Sequence, residues 1–327
     1  MTQASASLPL ATLFDGTRVG APRCFGGLTL VPLLRDRKAG PDVMLLEEGI
    51  AQQCLRVTEV SEAGIVNKIR VEHAGKLPLL ILDGEQVLGE KQNRAFNASF
   101  VVLPGVSVDV PVSCVERGRW RYRPTAQAQG GAAQEAREAM PSTRAGEGFT
   151  ASGCTLSGEI RSRKLSRVTS SQSFDADQRA VWRDVDEYLT RTQVRSKTGA
   201  YDDGYRVRAR QVEEQLERAK PEPGQVGMAA VAGGCLVGMD VFGSTELYAR
   251  AWKKVLRGML ADDYGPVSDR TDPVKLVRQA MDMLTMPPTT RTTLPGCGET
   301  ILVTVGVLAM GAVALDGELV HAYAAQV

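Results

Sequence analysis

The sequence has few of the residues from which common catalytic and metal sites are built. It contains only two histidines, His73 and His321, among 327 residues. It has no Walker loop, no GxGxxG after a predicted strand, no HExxH and no GxSxG motif. The two histidines therefore offer few candidates for a histidine-based metal site or a Ser-His-Asp triad. We predict no metal and no cofactor.

Aromatic residues, long apolar runs and excess charge are also scarce. Only 5% of the residues are aromatic, and 39 basic residues face 38 acidic ones. This balance does not favour nucleic acid or anionic lipid as a partner. No apolar run approaches the roughly 20 residues that a membrane span needs, and the first residues lack a basic segment typical of a signal peptide. We expect a cytoplasmic protein with no membrane partner.

The six cysteines are scattered singly along the chain, and none lies in a CxxC pair. This pattern is typical of reduced cysteines in a cytosolic protein rather than of a disulfide framework. Cys114 shares strand parity with Val108, Val110 and Val112, so we predict a buried structural thiol there.

The residues that are abundant predict an α+β protein. A length of 327 residues suits one large domain or two medium ones, and 43% hydrophobic residues can fill a full core. Short Val-, Leu- and Ile-rich runs separated by Gly and Pro predict a mostly-β, sandwich- or barrel-like domain over residues 1–123. Pro111, inside the alternating run Ser107–Val115, predicts an edge strand or a bulge.

The second half of the chain changes character. Residues 124–172 are rich in Ala, Gln, Gly and Ser, which favours a flexible linker or lid. Residues 173–327 carry helical stripes and strand pairs, and Asp316-Gly317 between apolar runs predicts a final β-hairpin. We therefore expect a C-terminal helix–sheet domain.

The densest polar stretch runs from Leu79 to Tyr122. Amide and cationic side chains lie on a loop between two apolar strands, where they can grip phosphate, carboxylate or hydroxyl groups. The predicted ligand-binding residues are Lys91, Gln92, Asn93, Arg94, Asn97, Arg119 and Arg195. Glu85 and Glu116 are the candidate catalytic pair, one as acid and one as base. The alternative is that these charges form ion pairs that tie loop ends together.

The two histidines have plainer interpretations. His73, beside Glu72 and before Gly75, is predicted to be a surface turn residue. His321 shares a strand face with Leu319 and Tyr323, which favours a core or edge histidine with one hydrogen bond.

The stretch GEQVLGEKQNRAFNASFVVLPGVSVDVPVSCVERGRW is similar to the central motif of a bacterial family. This family is the ARG and rhodanese-phosphatase-superfamily-associated protein domain. VRSKTGAY, PGQVGMAAVAGGCLVGMDVF and DGELVHAYA extend the resemblance over nearly the whole chain outside the linker. The family name implies an association with ADP-ribosyl glycohydrolases and with rhodanese or phosphatase domains, without an established activity.

Three functions follow as hypotheses. The first is a protein that binds a small anionic ligand, a nucleotide or an ADP-ribose-like molecule, as an accessory to ADP-ribose- or NAD-linked processes. The second is a hydrolase that uses Glu85 and Glu116. The third is a structural protein that self-assembles through apolar strand edges as a homo-oligomer. The sequence leaves open whether the protein is an enzyme.

Overall fold

A computed structural model describes residues 7–35, 40–60, 67–89, 91–118, 148–266, 271–286 and 289–327. Its helices are α1 Leu46–Ala51, α2 Gly158–Ser171, α3 Gln178–Arg191, α4 Tyr201–Arg218, α5 Thr245–Leu260 and α6 Pro273–Leu284, with a short 3-10 turn at Leu10–Thr12. Its strands are β1 Arg18–Val19, β2 Arg23–Phe25, β3 Leu28–Leu34, β4 Met44–Leu45, β5 Leu55–Glu59, β6 Lys68–His73, β7 Leu79–Ile81, β8 Glu85–Gly89, β9 Arg94–Phe96, β10 Phe100–Val102, β11 Val106–Cys114, β12 Phe149–Thr155, β13 Gln225–Ala232, β14 Cys235–Phe242, β15 Thr289–Thr293, β16 Glu299–Val305, β17 Leu308–Leu315 and β18 Glu318–Gln326.

The largest sheet has nine antiparallel strands in the order β1-β3-β13-β14-β18-β17-β16-β15, with β2 also paired to β3. Because β3 pairs with β13, strands from both ends of the chain share this sheet. The segments 1–123 and 173–327, predicted as separate domains, are thus joined through one sheet. The expected C-terminal hairpin is present as β17 and β18, preceded by a further strand, β16.

Helices cover both faces of this sheet. α6 begins with Asp272 as N-cap and Pro273 at the first helical position, and its apolar stripe packs beside Val31 and Met310. Ser244 is the N-cap of α5, and its hydroxyl accepts a hydrogen bond from the Leu247 N–H. The apolar stripe of α5 packs on the opposite face of the sheet, beside Phe242 of β14. Both helices lie within residues 173–327, where the sequence predicted helical stripes.

Two smaller sheets carry the polar stretch. One has six strands in the order β12-β8-β9-β11-β6-β5, and the other has three in the order β10-β7-β4. β11 pairs with β6 as far as Pro111 and then with β9 from Val112 onward. Pro111 therefore does not mark an edge strand. It lies where β11 changes partner, a position at which the ladder does not need its missing N–H.

The linker interpretation of residues 124–172 is corrected for the part that the structure describes. Residues 149–155 form β12, which pairs with β8, and residues 158–171 form α2. α2 buries Ile160, Leu165 and Val168 along one stripe. The prediction missed this stripe because it used composition, and the many Ser and Arg residues of α2 are typical of a linker. The remainder of the predicted linker, 124–147, lies outside the described residues.

The predicted α+β class is confirmed. Cys114 is fully buried, as strand parity predicted. The interpretation of His73 was wrong, because this residue lies on β6, is buried, and its Nε2 lies 2.7 Å from the Leu77 carbonyl oxygen. Among the described helices, none has the length and apolar character needed to cross a membrane.

Candidate functional site

Residues 91–93, which we call the polar loop, lie between β8 and β9 inside the predicted polar stretch, and they are bound to the segment that follows β11. Gln92 Nε2 donates to the carbonyl oxygen of Glu116 at 2.7 Å and to that of Arg117 at 3.4 Å. The Asn93 N–H donates to Glu116 Oε2 at 3.1 Å, and the Val115 N–H donates to the Asn93 carbonyl oxygen at 3.0 Å. We call residues 115–118 the β11 extension. The loop and this extension form one hydrogen-bonded unit.

Arg94 lies fully buried at the start of β9. Its Nη2 is 3.1 Å from Glu59 Oε1, and the Glu59 side chain is itself nearly buried. Its Nη1 donates to Gln92 Oε1 at 3.4 Å. The guanidinium pairs with Glu59 and donates to Gln92. Arg94 therefore stabilises the polar loop from the protein interior, and its charge does not face solvent.

Asn97 is a second internal support. Its Nδ2 donates to the Phe174 carbonyl oxygen at 2.9 Å, and its Oδ1 accepts from the Ser113 hydroxyl at 2.8 Å. Lys164 Nζ, from α2, donates to its carbonyl oxygen at 2.9 Å. The predicted ligand-binding side chain is therefore engaged by strand β11 and by the segment that follows α2.

The basic turn, residues 195–199, packs against the β11 extension. An isolated β-bridge joins Glu116 to Ala200, and the Gly118 N–H donates to the Thr198 carbonyl oxygen at 2.6 Å. A Cβ at Gly118 would lie 2.8 Å from that same oxygen, so the two backbones meet more closely than a side chain allows. This close approach brings Arg195 into the neighbourhood of the polar loop, although about 100 residues separate them in sequence.

Four cations border this junction, and we call Lys91, Arg117, Arg195 and Lys197 the basic rim. Lys91 is partly exposed and the other three are exposed. Arg117 Nη1 lies 3.1 Å from Asp186 Oδ2, with the two side chains 58% and 45% exposed. Water at such exposure weakens that ion pair, so the rim keeps a positive character. The predicted Arg119 lies outside the described residues.

Glu85 occupies a different environment at the other end of β8. It is fully buried, and its Oε2 accepts from the Leu82 N–H at 2.9 Å. Lys254, from α5, forms ion pairs with both Glu85 and the half-exposed Glu47. Burial raises the pKa of Glu85 despite the lysine, because one ammonium is shared between two carboxylates.

The two candidate catalytic carboxylates thus have separate partners. Glu116 contacts Asn93, whose side chain accepts from the Gly89 N–H at the far end of β8. At about 3.3 Å per residue, β8 places Glu85 and Gly89 roughly 13 Å apart. A shared acid/base cleft for Glu85 and Glu116 stays a prediction, and these contacts do not favour it.

A sequence model of a protein family matches residues 16–325, a range that includes the polar loop, the β11 extension and the basic turn. Its description is the ARG and Rhodanese-Phosphatase-superfamily-associated Protein domain. The chain belongs to this family. The resemblance predicted from the polar stretch is confirmed. Comparisons with the curated proteins and with the solved structures each gave no match.

This member of the ARG and rhodanese-phosphatase-associated family also contains a closed ring of buried polar side chains. Arg161 Nη1 and Nη2 lie 3.1 and 2.9 Å from the Asp240 oxygens, and its Nε lies 3.4 Å from Asp83 Oδ1. His321 Nε2 lies 3.0 Å from Asp240 Oδ1, and its Nδ1 lies 2.8 Å from Ser99 Oγ. The Asp83 N–H donates to Ser99 Oγ at 2.9 Å, which closes the buried ring.

The charges of the buried ring balance when His321 is neutral. Lys164 Nζ lies 2.6 Å from Asp83 Oδ2, so two carboxylates face one guanidinium and one ammonium. Since a carboxylate only accepts, we assign the His321 proton to Nε2, and the Ser99 hydroxyl then donates to Nδ1. Burial alone would raise the pKa of Asp240, but the Arg161 guanidinium and the hydrogen bond from His321 bring that pKa below its usual value.

The order Ser99–His321–Asp240 resembles a catalytic triad, but its surroundings do not suit catalysis. All three side chains are buried, and a bidentate arginine already engages the aspartate. Ser99 Oγ also accepts a backbone N–H, which lowers its nucleophilicity. In this family member the ring therefore ties α2 to the sheets.

Sequence reasoning missed this buried ring. His321 was predicted to make one hydrogen bond and makes two, while Arg161 and Lys164 lie in the segment interpreted as linker. Their spacing of three residues on one helical face was the available signal. Among the described residues, no group of three or more His, Cys, Asp or Glu side chains is arranged to hold a metal ion.

Proposed function

We propose that the protein binds a small phosphate-bearing anion at the basic rim, as an accessory to processes that use ADP-ribose or NAD. The observation that carries this proposal is the meeting of three distant segments at one junction. The polar loop, the β11 extension and the basic turn are hydrogen-bonded together there and carry four cations.

The chemistry of the junction suits phosphate. Arginine donates two parallel N–H groups to phosphate oxygens, and lysine adds a compact positive charge. Arg195 and Lys197 are exposed and lie on a turn fixed by the Ser196 hydroxyl, which accepts from the Ala200 N–H at 2.9 Å and donates to Asp203 at 2.6 Å. A turn ordered in this way loses little conformational entropy when a ligand binds.

Buried amides below the rim give it a rigid support. The Gln92 side chain donates to the β11 extension, and the Asn93 side chain accepts from the Gly89 N–H. Arg94 in turn donates to the Gln92 side chain. We therefore assign direct ligand contact to the rim cations and support to Gln92, Asn93, Arg94 and Asn97. ADP-ribose is the first ligand to test, because it carries two phosphates and because the family name associates these proteins with ADP-ribose chemistry.

Titration calorimetry at low ionic strength tests the proposal with ADP-ribose, ADP and NAD, and with adenosine as the uncharged comparison. We expect heat from the three phosphate-bearing molecules and none from adenosine, with affinity falling as salt is added. Arg195→Ala and Lys197→Ala should each weaken binding about tenfold, or roughly 1.4 kcal/mol.

Arg210→Ala is the matched control, because this arginine is 93% exposed on α4 and pairs only with the exposed Glu214 among described contacts. It should leave affinity unchanged. No heat from any phosphate-bearing molecule at protein concentrations near millimolar, or equal losses in the control and rim variants, would overturn the proposal.

A further inference from the structure

Gln178 pairs with the backbone of Cys114 as a neighbouring strand would. The Cys114 N–H donates to Gln178 Oε1 at 2.7 Å, and Gln178 Nε2 donates to the Cys114 carbonyl oxygen at 2.8 Å. A carboxamide is the one common side-chain group that reproduces both the donor and the acceptor of a peptide bond. The glutamine thus replaces one residue of a β-ladder.

This contact lies where β11 has lost a strand neighbour. β11 leaves β6 after Pro111, and from Val112 to Cys114 its strand partner is β9. Gln178 satisfies Cys114, and one residue later the Val115 carbonyl oxygen accepts from the Tyr201 N–H at 3.0 Å. A side chain from α3 and the start of α4 therefore hold backbone groups where β11 meets the β11 extension.

The glutamine is itself well anchored. It is the first residue of α3, directly after the N-cap Asp177, whose side chain accepts from the Arg179 and Ala180 N–H groups. The same helix buries Val181 and Val185 against the surrounding core. Because the core fixes α3, Gln178 at its first position holds the backbone of Cys114 in place.

We propose that Gln178 is a positioning residue that holds the β11 extension, and with it Arg117 of the basic rim, in place. The consequence for ligand binding rests on the function proposed above, whereas the ordering of the extension does not. Cys114 is fully buried with the carboxamide in place, and removing the carboxamide leaves its N–H and C=O without these two partners. The extension must then shift or open to satisfy them.

Gln178→Met tests this inference, because methionine keeps the length and removes both hydrogen bonds. We expect the Cys114 amide to exchange at least tenfold faster, while amides in β14, such as Val241, keep their protection. We also expect the dissociation constant for ADP-ribose to rise about tenfold. A purely global loss of stability would instead speed exchange at both places equally, which would overturn the proposal.

Gln178→Glu gives a second, pH-dependent readout. A carboxylate can accept from the Cys114 N–H but cannot donate to its carbonyl oxygen, whereas a protonated carboxyl group can do both. We therefore expect the Cys114 amide of this variant to exchange fast at neutral pH. After correction for intrinsic exchange, its exchange should become slower at pH values below the pKa of the new carboxyl group.

Arg179→Ala, at the exposed next position of α3, should behave as wild type throughout. Unchanged Cys114 exchange in Gln178→Met would overturn the inference. Changed exchange at Cys114 in a protein whose wild type binds none of ADP-ribose, ADP and NAD would leave the positioning role standing and remove the proposed function.

Discussion

Arg161 and Asp240 form a bidentate ion pair in which neither side chain reaches solvent. The two N–O distances are 3.1 and 2.9 Å, and the side chains are 1% and 0% exposed. The guanidinium also lies 3.6 Å from the centre of the Tyr323 ring. Removing one member of such a pair leaves the other charge buried without compensation.

We therefore expect Asp240→Asn to lower the free energy of unfolding by about 3–5 kcal/mol. Urea denaturation followed by circular dichroism measures this loss. Glu214→Gln is the control, because the Arg210–Glu214 distance is 3.1 Å in a pair whose side chains are 93% and 66% exposed. It should change stability by less than about 0.5 kcal/mol. Equal losses in the two variants would contradict the assignment of the buried ring as a stabilising device.

Glu85 predicts a specific pH dependence. Its pKa in the folded state is raised above the ordinary value of 4.5 because of burial, and Glu47 beside Lys254 adds to the effect. A raised carboxyl pKa means that the folded state binds the proton more tightly than the unfolded state does. The tighter proton binding of Glu85 stabilises the folded state fully at pH values below the pKa of Glu85 in the unfolded state. This stabilisation is lost as pH rises through the pKa of Glu85 in the folded state.

Glu85→Gln imitates the protonated form and removes this titration. From pH 4.5 upward, we expect the stability of the variant relative to wild type to increase, by about 1.4 kcal/mol for each unit of pKa shift. The difference should then level off once Glu85 is ionised. Chemical denaturation from pH 4.5 to 8 measures it. A difference that stays constant over this range would show that the pKa of Glu85 is not raised.

Gly118 predicts a steric effect at the proposed site. A Cβ there would lie 2.8 Å from the Thr198 carbonyl oxygen and 2.9 Å from its Cα, both backbone atoms that cannot rotate away. Gly118→Ala should cost about 1–3 kcal/mol of stability and should weaken ligand binding, because it separates the basic turn from the β11 extension. Denaturation and calorimetry give the two values.

Gly311→Ala is the comparison for this steric effect. Its added Cβ would meet nothing nearer than Leu165 Cδ1 at 3.5 Å, an ordinary contact. It should cost less than Gly118→Ala and should leave ligand affinity unchanged. If Gly118→Ala bound the ligand as well as wild type, the close approach of the two backbones would have no role in binding.

The cysteines give a further check. All six lie in the described residues and are free thiols, with Cys24 and Cys235 exposed and Cys114, Cys154 and Cys297 buried. Burial raises the pKa of Cys154 to about 12, so its reactive thiolate is scarce at neutral pH. We expect Ellman's reagent to modify the two exposed thiols rapidly in the native protein, the partly buried Cys54 more slowly, and the three buried thiols only after unfolding. Rapid native labelling of Cys114 or Cys154 would contradict the packing of the six-stranded sheet.

The candidate site was partly predictable from sequence. The polar loop and Glu116 were singled out because amides and charges cluster between apolar strands, and the structure brings Gln92, Asn93 and Glu116 into contact. The partners of each side chain within the cluster were not predictable. Arg94 and Asn97 have the composition of ligand contacts, but Glu59, Ser113 and Phe174 engage them internally.

The sequence by itself determined helices α5 and α6 and the family. Helices α5 and α6 follow from apolar spacing and from the caps Ser244 and Asp272, since both signals lie within one or two helical turns. Only the tertiary structure decided the partners of the buried charges. Glu85 meets Lys254 across 169 residues and Ser99 meets His321 across 222, and periodicity carries no information over such distances. Burial strengthens each of these contacts by excluding water, and burial is a property of the packed sheets rather than of any segment.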